Sequence, residues 1–77
     1  MFGVYIEDIY GDVELTDDVC YIYNGAFHIA FEKNLELLIE DGIENPDYEV
    51  VSQLTDNTNL PCFYHVHKYN KEDIIFN

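Results

Sequence analysis

A chain of 77 residues has room for one domain, and with 48% hydrophobic and 16% aromatic residues it is a folding sequence, not a disordered acidic tail. Sixteen Asp and Glu stand against three Lys and no Arg, a formal charge of −13, which excludes the basic footprint that DNA, RNA or an anionic lipid surface requires. So short a domain buries only about 60–65% of the surface its unfolded chain exposes, and has little stability to spare.

The N-terminal run Met1-Phe2-Gly3-Val4-Tyr5-Ile6-Glu7-Asp8 lacks the basic start and apolar stretch of a signal peptide. No run approaches the ~18 apolar residues that span a bilayer, and a cytoplasmic location is expected. Phe2, Val4 and Ile6 alternate with Gly3, Tyr5 and Glu7, the period of a strand. A turn at Tyr10-Gly11 leads to a second alternating run, Asp12-Val13-Glu14-Leu15. Thr16-Asp17-Asp18 reads as a further turn, because short polar side chains bond their own backbone.

Asn24-Gly25 has the composition of a type I′ turn, and the flanking segments, residues 19–23 and 26–31, predict a hairpin around it. In that register Cys20, Ile22, Phe27, Ile29 and Phe31 share a core face. Val19, Tyr21, Tyr23, Ala26 and His28 share the other. The period then changes: Phe31, Leu35, Leu38 and Ile39 recur at helical spacing, and Gly42 follows as a stop, which predicts a helix over 32–41. Asn45-Pro46-Asp47 is a second helix-start signal, with Asn45 as cap. Tyr48 to Leu54 fits a helix about as well as a strand, with a slight preference for a short helix over 46–55. Cys62 to Tyr69 reads as a strand, and after a turn at Asn70-Lys71 a terminal strand is expected at 73–76.

The resulting expectation is a single α+β domain over 1–77: an antiparallel sheet of four or five strands, with the 32–41 helix packed on one face. Two cysteines, Cys20 and Cys62, do not form the dense framework of a secreted domain, and no disulfide is expected.

The charge is unevenly placed. Thirteen of the acids lie in residues 1–49 against the single Lys33, so nearly all the net charge belongs to the first two thirds. Glu32, Glu36, Glu40 and Glu44 repeat every four residues, and like charges at that spacing cost about 0.2–0.5 kcal/mol per pair. Glu40 and Asp41 fall in the last turn of the expected helix, where its dipole disfavours negative charge. A net charge of about 2–8 suffices for the solubility of a small domain. The excess therefore points to a carboxylate surface that imitates nucleic acid and occupies the Lys- and Arg-lined cleft of a basic protein. Glu7, Asp8, Asp12, Glu14, Asp17, Asp18, Glu32, Glu36, Glu40, Asp41 and Glu44 are the candidate partner-binding residues, with Tyr5, Tyr10, Tyr21 and Tyr23 as candidate aromatic anchors.

In size, charge and the acidic stripes Asp12/Glu14 and Glu32/Glu36/Glu40, the chain resembles the small acidic DNA-mimic inhibitors carried by phages and mobile elements. These include anti-CRISPR and anti-restriction proteins and uracil-glycosylase inhibitors. Members of that class are mutually unrelated in fold, so the resemblance implies a mode of action and no particular residues. The partner it implies is a nuclease or CRISPR effector. An immunity protein or antitoxin that plugs a basic nuclease toxin would present the same acidic face.

Other chemistries are less well served. Cys62-x-x-His65-x-His67 is the nearest approach to a metal site, but in a regular strand His65 and His67 share one face and Cys62 lies on the other. Cys20 or His28 would have to complete a tetrahedral set. The plainer expectation is two partly exposed histidines and a buried free cysteine. Cys62 with His65 has no identifiable orienting group for nucleophilic catalysis, and no phosphate-binding Gly-rich loop or calcium loop is present. Neither enzyme activity nor a cofactor is expected. A homodimer through the sheet face bearing Tyr21 and Tyr23 is the remaining structural alternative.

Overall fold

The alternating N-terminal segment becomes the middle of the sheet. In the computed structural model, which describes residues 1–69, strand β1 (Phe2–Glu7) lies between β2 (Val13–Cys20) and β3 (Tyr64–Lys68). Both pairings are antiparallel. Helices α1 (Tyr23–Glu40) and α2 (Tyr48–Asp56) separate β2 from β3 in the chain. The α+β class is as expected, but the described residues form three strands and two helices instead of four or five strands and one main helix. The expected terminal turn and strand, residues 70–77, lie outside the described residues.

Pairing of Val4 with Val66 and Phe2 with Lys68 sets the register of β3 on β1. Side-chain alternation then puts Phe2, Val4, Tyr64 and Val66 on one face. Ala26 and Ala30 of α1, both fully buried, meet Val4 and Val66 there, and Phe2, Cys20, Phe27, Ile29 and Tyr64 pack around them. Two alanines one turn apart let the helix lie close against the sheet.

The hairpin expected at 19–31 does not form. Tyr23 to Phe31 is instead the first half of α1, which extends the expected 32–41 helix by nine residues at its start and ends it at Glu40. Tyr23, Phe27 and Phe31 recur at i, i+4, and so do Ala26, Ala30 and Asn34, so this stretch also carries a helical face. Continuous packing of that face on the sheet outweighs the local turn preference of Asn24-Gly25. Both turn residues sit in the first helical turn, where the N–H groups lack intrahelical partners in any case. Ile22 precedes them in an extended conformation and offers no side-chain cap.

Gly42 ends α1 as expected. It takes φ of 91°, its N–H donates to Ile39 O at 3.0 Å, and the Ile43 N–H donates to Leu38 O at 3.0 Å. Only a residue without Cβ adopts this left-handed stop at no steric cost. The second helix forms too, but its cap is Asp47, whose carboxylate accepts from Glu49 N at 2.9 Å. Asn45 instead occupies a left-handed backbone position with φ of 51°.

Thr16-Asp17-Asp18, expected as a turn, lies within β2 as a bulge. Gly3 pairs with Val19 and Tyr5 with Leu15, so these three residues stand opposite Val4 alone. Thr16 Oγ1 donates to Val4 O at 2.8 Å and accepts from Asp18 N at 3.2 Å. The anticipated bonding of short polar side chains to the backbone is present, but it bends the strand without ending it.

Candidate partner-binding surface

The acidic side chains divide by whether the fold uses them. Asp8 holds the β1–β2 turn: its Oδ1 accepts from Tyr10 N at 2.8 Å and Asp12 N at 3.0 Å. Asp18, half-buried, lies 3.6 Å from Lys33 Nζ and ties β2 to α1. The same ammonium sits 5.4 Å from the Tyr64 ring centre. Glu32 reaches His28 across one helical turn at 3.4 Å. Glu7 is half-buried at the end of β1 and faces the His67 imidazole electrostatically.

Asp12, Glu14, Asp17, Glu36, Glu40, Asp41 and Glu44 are exposed and make no side-chain hydrogen bond or ion pair among the described residues. Glu14 and Asp17 stand on β2, an edge strand, whereas Asp12 lies in the turn before it, so Asp12 and Glu14 are not a strand pair. Glu36 and Glu40 continue the Glu32 stripe on the outer side of α1, with about 6 Å of axial rise per step. Asp41 and Glu44 carry the charge past the end of α1, which has no basic residue in its last turn.

The four tyrosine candidates separate as well. Tyr10 and Tyr21 are 84% and 83% exposed, at the hairpin tip and in the β2–α1 link. They remain available as anchors. Tyr5 is half-buried edge-on against His67, with ring centres 5.3 Å apart. Tyr23 starts a row of rings along α1, meeting Phe2 at 5.6 Å and Phe27 at 5.9 Å. Its hydroxyl lies 3.5 Å from Asp56. Burial first, and then the Asp56 carboxylate, raise the Tyr23 phenol above its ordinary 10.0. Tyr21 and Tyr23 do not share a sheet face, which removes the basis for the homodimer expected there.

Cys62, His65 and His67 are not gathered, and no metal-binding group of three such side chains occurs among the described residues. His65 is 2% exposed, with Nδ1 at 3.1 Å from Thr55 O and Nε2 at 2.7 Å from Leu60 O. Both ring nitrogens thus face backbone carbonyl oxygens. Cys62, expected buried, is exposed, and both cysteines are free. The His67 imidazole is pushed below its ordinary 6.5 by burial first and by His65 second, against the opposing pull of Glu7.

One arrangement was missed by the sequence reading. Asn34, fully buried in α1, closes the free edge of β3: Tyr64 N donates to its Oδ1 at 2.7 Å, and its Nδ2 donates to Tyr64 O at 2.9 Å. The same Nδ2 reaches Thr55 Oγ1 at 2.9 Å, and that hydroxyl donates to Val51 O at 2.8 Å. The available signal was an amide at position 34, one turn after Ala26 and Ala30 on the inward stripe.

No helix among the described residues is long and apolar enough to cross a membrane. Comparisons with protein-family models, curated proteins and solved structures find no match to this chain.

Proposed function

We propose that this chain is a protein inhibitor that mimics nucleic acid and fills the basic cleft of a host-defence nuclease, either a CRISPR effector or a restriction enzyme, and that it binds without catalysing a reaction. The reading rests above all on exposed carboxylates that bond to no other described residue, carried on regular elements. Glu14 and Asp17 stand on β2, and Glu36 and Glu40 on α1. Nucleic acid offers its proteins regularly spaced negative charge, one per 3.4 Å along each strand. Carboxylates held on a strand and a helix offer a basic cleft a comparable field with little ordering left to do on binding. Tyr10 and Tyr21 add apolar area beside charge that by itself discriminates poorly.

The test is capture from a lysate of the host at about 0.1 M and about 0.5 M salt, with nucleic acid as competitor. A basic nuclease is expected at the lower salt, displaced by nucleic acid and weakened at the higher salt. Reversal of Glu36, Glu40 and Glu14 to Lys is expected to weaken that complex by roughly 2–5 kcal/mol for each fully desolvated pair. Inhibition that survives the triple reversal, or a partner that nucleic acid does not displace, removes the mimicry reading.

A further inference from the structure

We infer that the depression where α1 meets the α1–α2 connection is an anchor site for an apolar side chain of a basic protein segment, one flanked by Lys or Arg. The inference rests on the inhibitor reading for the nature of the target, and adds where and by what chemistry that target is gripped. Leu35, Ile39, Asn45, Pro46 and Tyr48 line the depression, which continues over Ile39, Gly42 and Ile43. Ile39, Ile43 and Tyr48 are 54%, 46% and 68% exposed, apolar surface that the other described residues leave uncovered.

Its walls are held in place. The Tyr48 ring stands edge-on to Phe31, with centres 5.7 Å apart at 82°. The left-handed Gly42 stop and its two backbone bonds fix the course of Ile43. A site shaped before binding loses little ordering entropy when it is filled.

Charge selects the occupant. Glu36 neighbours Ile39 at i, i+3 on the helix surface, Glu44 lines the depression beside Ile43, and Asp47 and Glu49 flank Tyr48 in the chain. Lys33, the only cation in residues 1–49, is engaged with Asp18 and Tyr64. The C-terminal end of α1 adds the negative pole of its dipole, with no basic residue to answer it. Nucleic acid and anionic membrane are repelled by this rim. A second copy would bring the same acids against it. A segment with Lys or Arg on either side of a large apolar residue satisfies both the rim and the floor.

Two synthetic peptides of equal length and charge, rich in Lys and Arg, test this against the isotopically labelled full chain. One carries two leucines one helical turn apart, and the other carries serines at those positions. At about 0.1 M salt the leucine peptide is expected to bind at least about ten-fold more tightly. Its amide shift changes are expected to centre on Leu35, Ile39, Ile43 and Tyr48. Ile39→Ser, at a position exposed enough to leave folding intact, is expected to erase the difference between the peptides while leaving the serine peptide's affinity unchanged. Equal affinities for the two peptides, shift changes as large on β2 as in the depression, or a leucine preference that survives Ile39→Ser each overturn the inference. Those results leave the charge-based inhibitor reading standing. Failure of nucleic acid to displace a captured nuclease defeats that reading and leaves the peptide preference untouched.

Discussion

At the scale of single residues, Gly25 lies where a Cβ would meet the Cys20 Cβ and Sγ and the Ile22 Cγ1, each at 3.6 Å, which is ordinary contact. An alanine therefore fits the first turn of α1 without displacing a neighbour. It also removes backbone freedom from the unfolded chain, so Gly25→Ala is expected to stabilise the fold by about 0.4–1 kcal/mol in denaturant titration. The sign is diagnostic, because a type I′ turn requires positive φ at this position and alanine would then destabilise it. His67 carries a second residue-level expectation. Its imidazole is pushed below 6.5 in the fold, so the unfolded chain binds the proton more readily. The stability that follows is present above pH 6.5 and lost as pH falls through the folded value. Thermal melts of His67→Gln and the parent chain are expected to diverge in the variant's favour between about pH 7.5 and 5.5. A difference that stays constant over that range removes the proposed linkage.

Between elements, Asn34 joins α1, α2 and β3 through one amide. Asn34→Leu keeps a similar side-chain size but leaves the Tyr64 N–H and C=O without their partner at the sheet edge. A buried polar group left unpaired costs about 1–3 kcal/mol, and two are orphaned, so a loss of roughly 2–6 kcal/mol is expected. Amide exchange at Tyr64 should accelerate in the variant, and unchanged exchange there would contradict the assignment. The same amide shows where sequence reading stops. β1, the Gly42 stop and β3 were legible because alternation and left-handed stops are local signals. Asn34 was not, since its partners are Tyr64 and Thr55, distant in the chain, and no local pattern pairs them. Residues 19–31 failed differently. Cys20, Ile22, Phe27 and Ile29 satisfy the period-2 hairpin pattern, while Ala26, Ala30 and Asn34 satisfy period 3.6, and only the sheet beneath decides between them. For the surface, charge was legible as a total, but which acids the fold consumes was not. Asp8 and Asp47 cap backbone and Asp18 meets Lys33, contacts that depend on the finished turns and on α1 lying beside β2.

For the whole molecule, the −13 charge acts against the fold that displays it. Among the described residues, the Lys33–Asp18 ion pair offsets it, while the acids along α1 repel one another at i, i+4. Raising sodium chloride from about 0.1 M to about 1 M shortens the screening length from about 10 to 3 Å, and so removes more repulsion than attraction. A gain of roughly 1 kcal/mol is expected, which for a domain of this size raises Tm by about 4–8 °C. The double variant Glu36→Gln/Glu40→Gln is expected to start higher and gain less. A Tm that is flat or falling with salt would mean that the carboxylates do not repel one another as placed. Binding to a basic cleft has the opposite dependence, because salt screens the attraction that draws the two proteins together. The fold therefore strengthens over the range in which the complex weakens. Loss of a captured nuclease at about 0.5 M salt then reports on the interface and not on unfolding of the inhibitor.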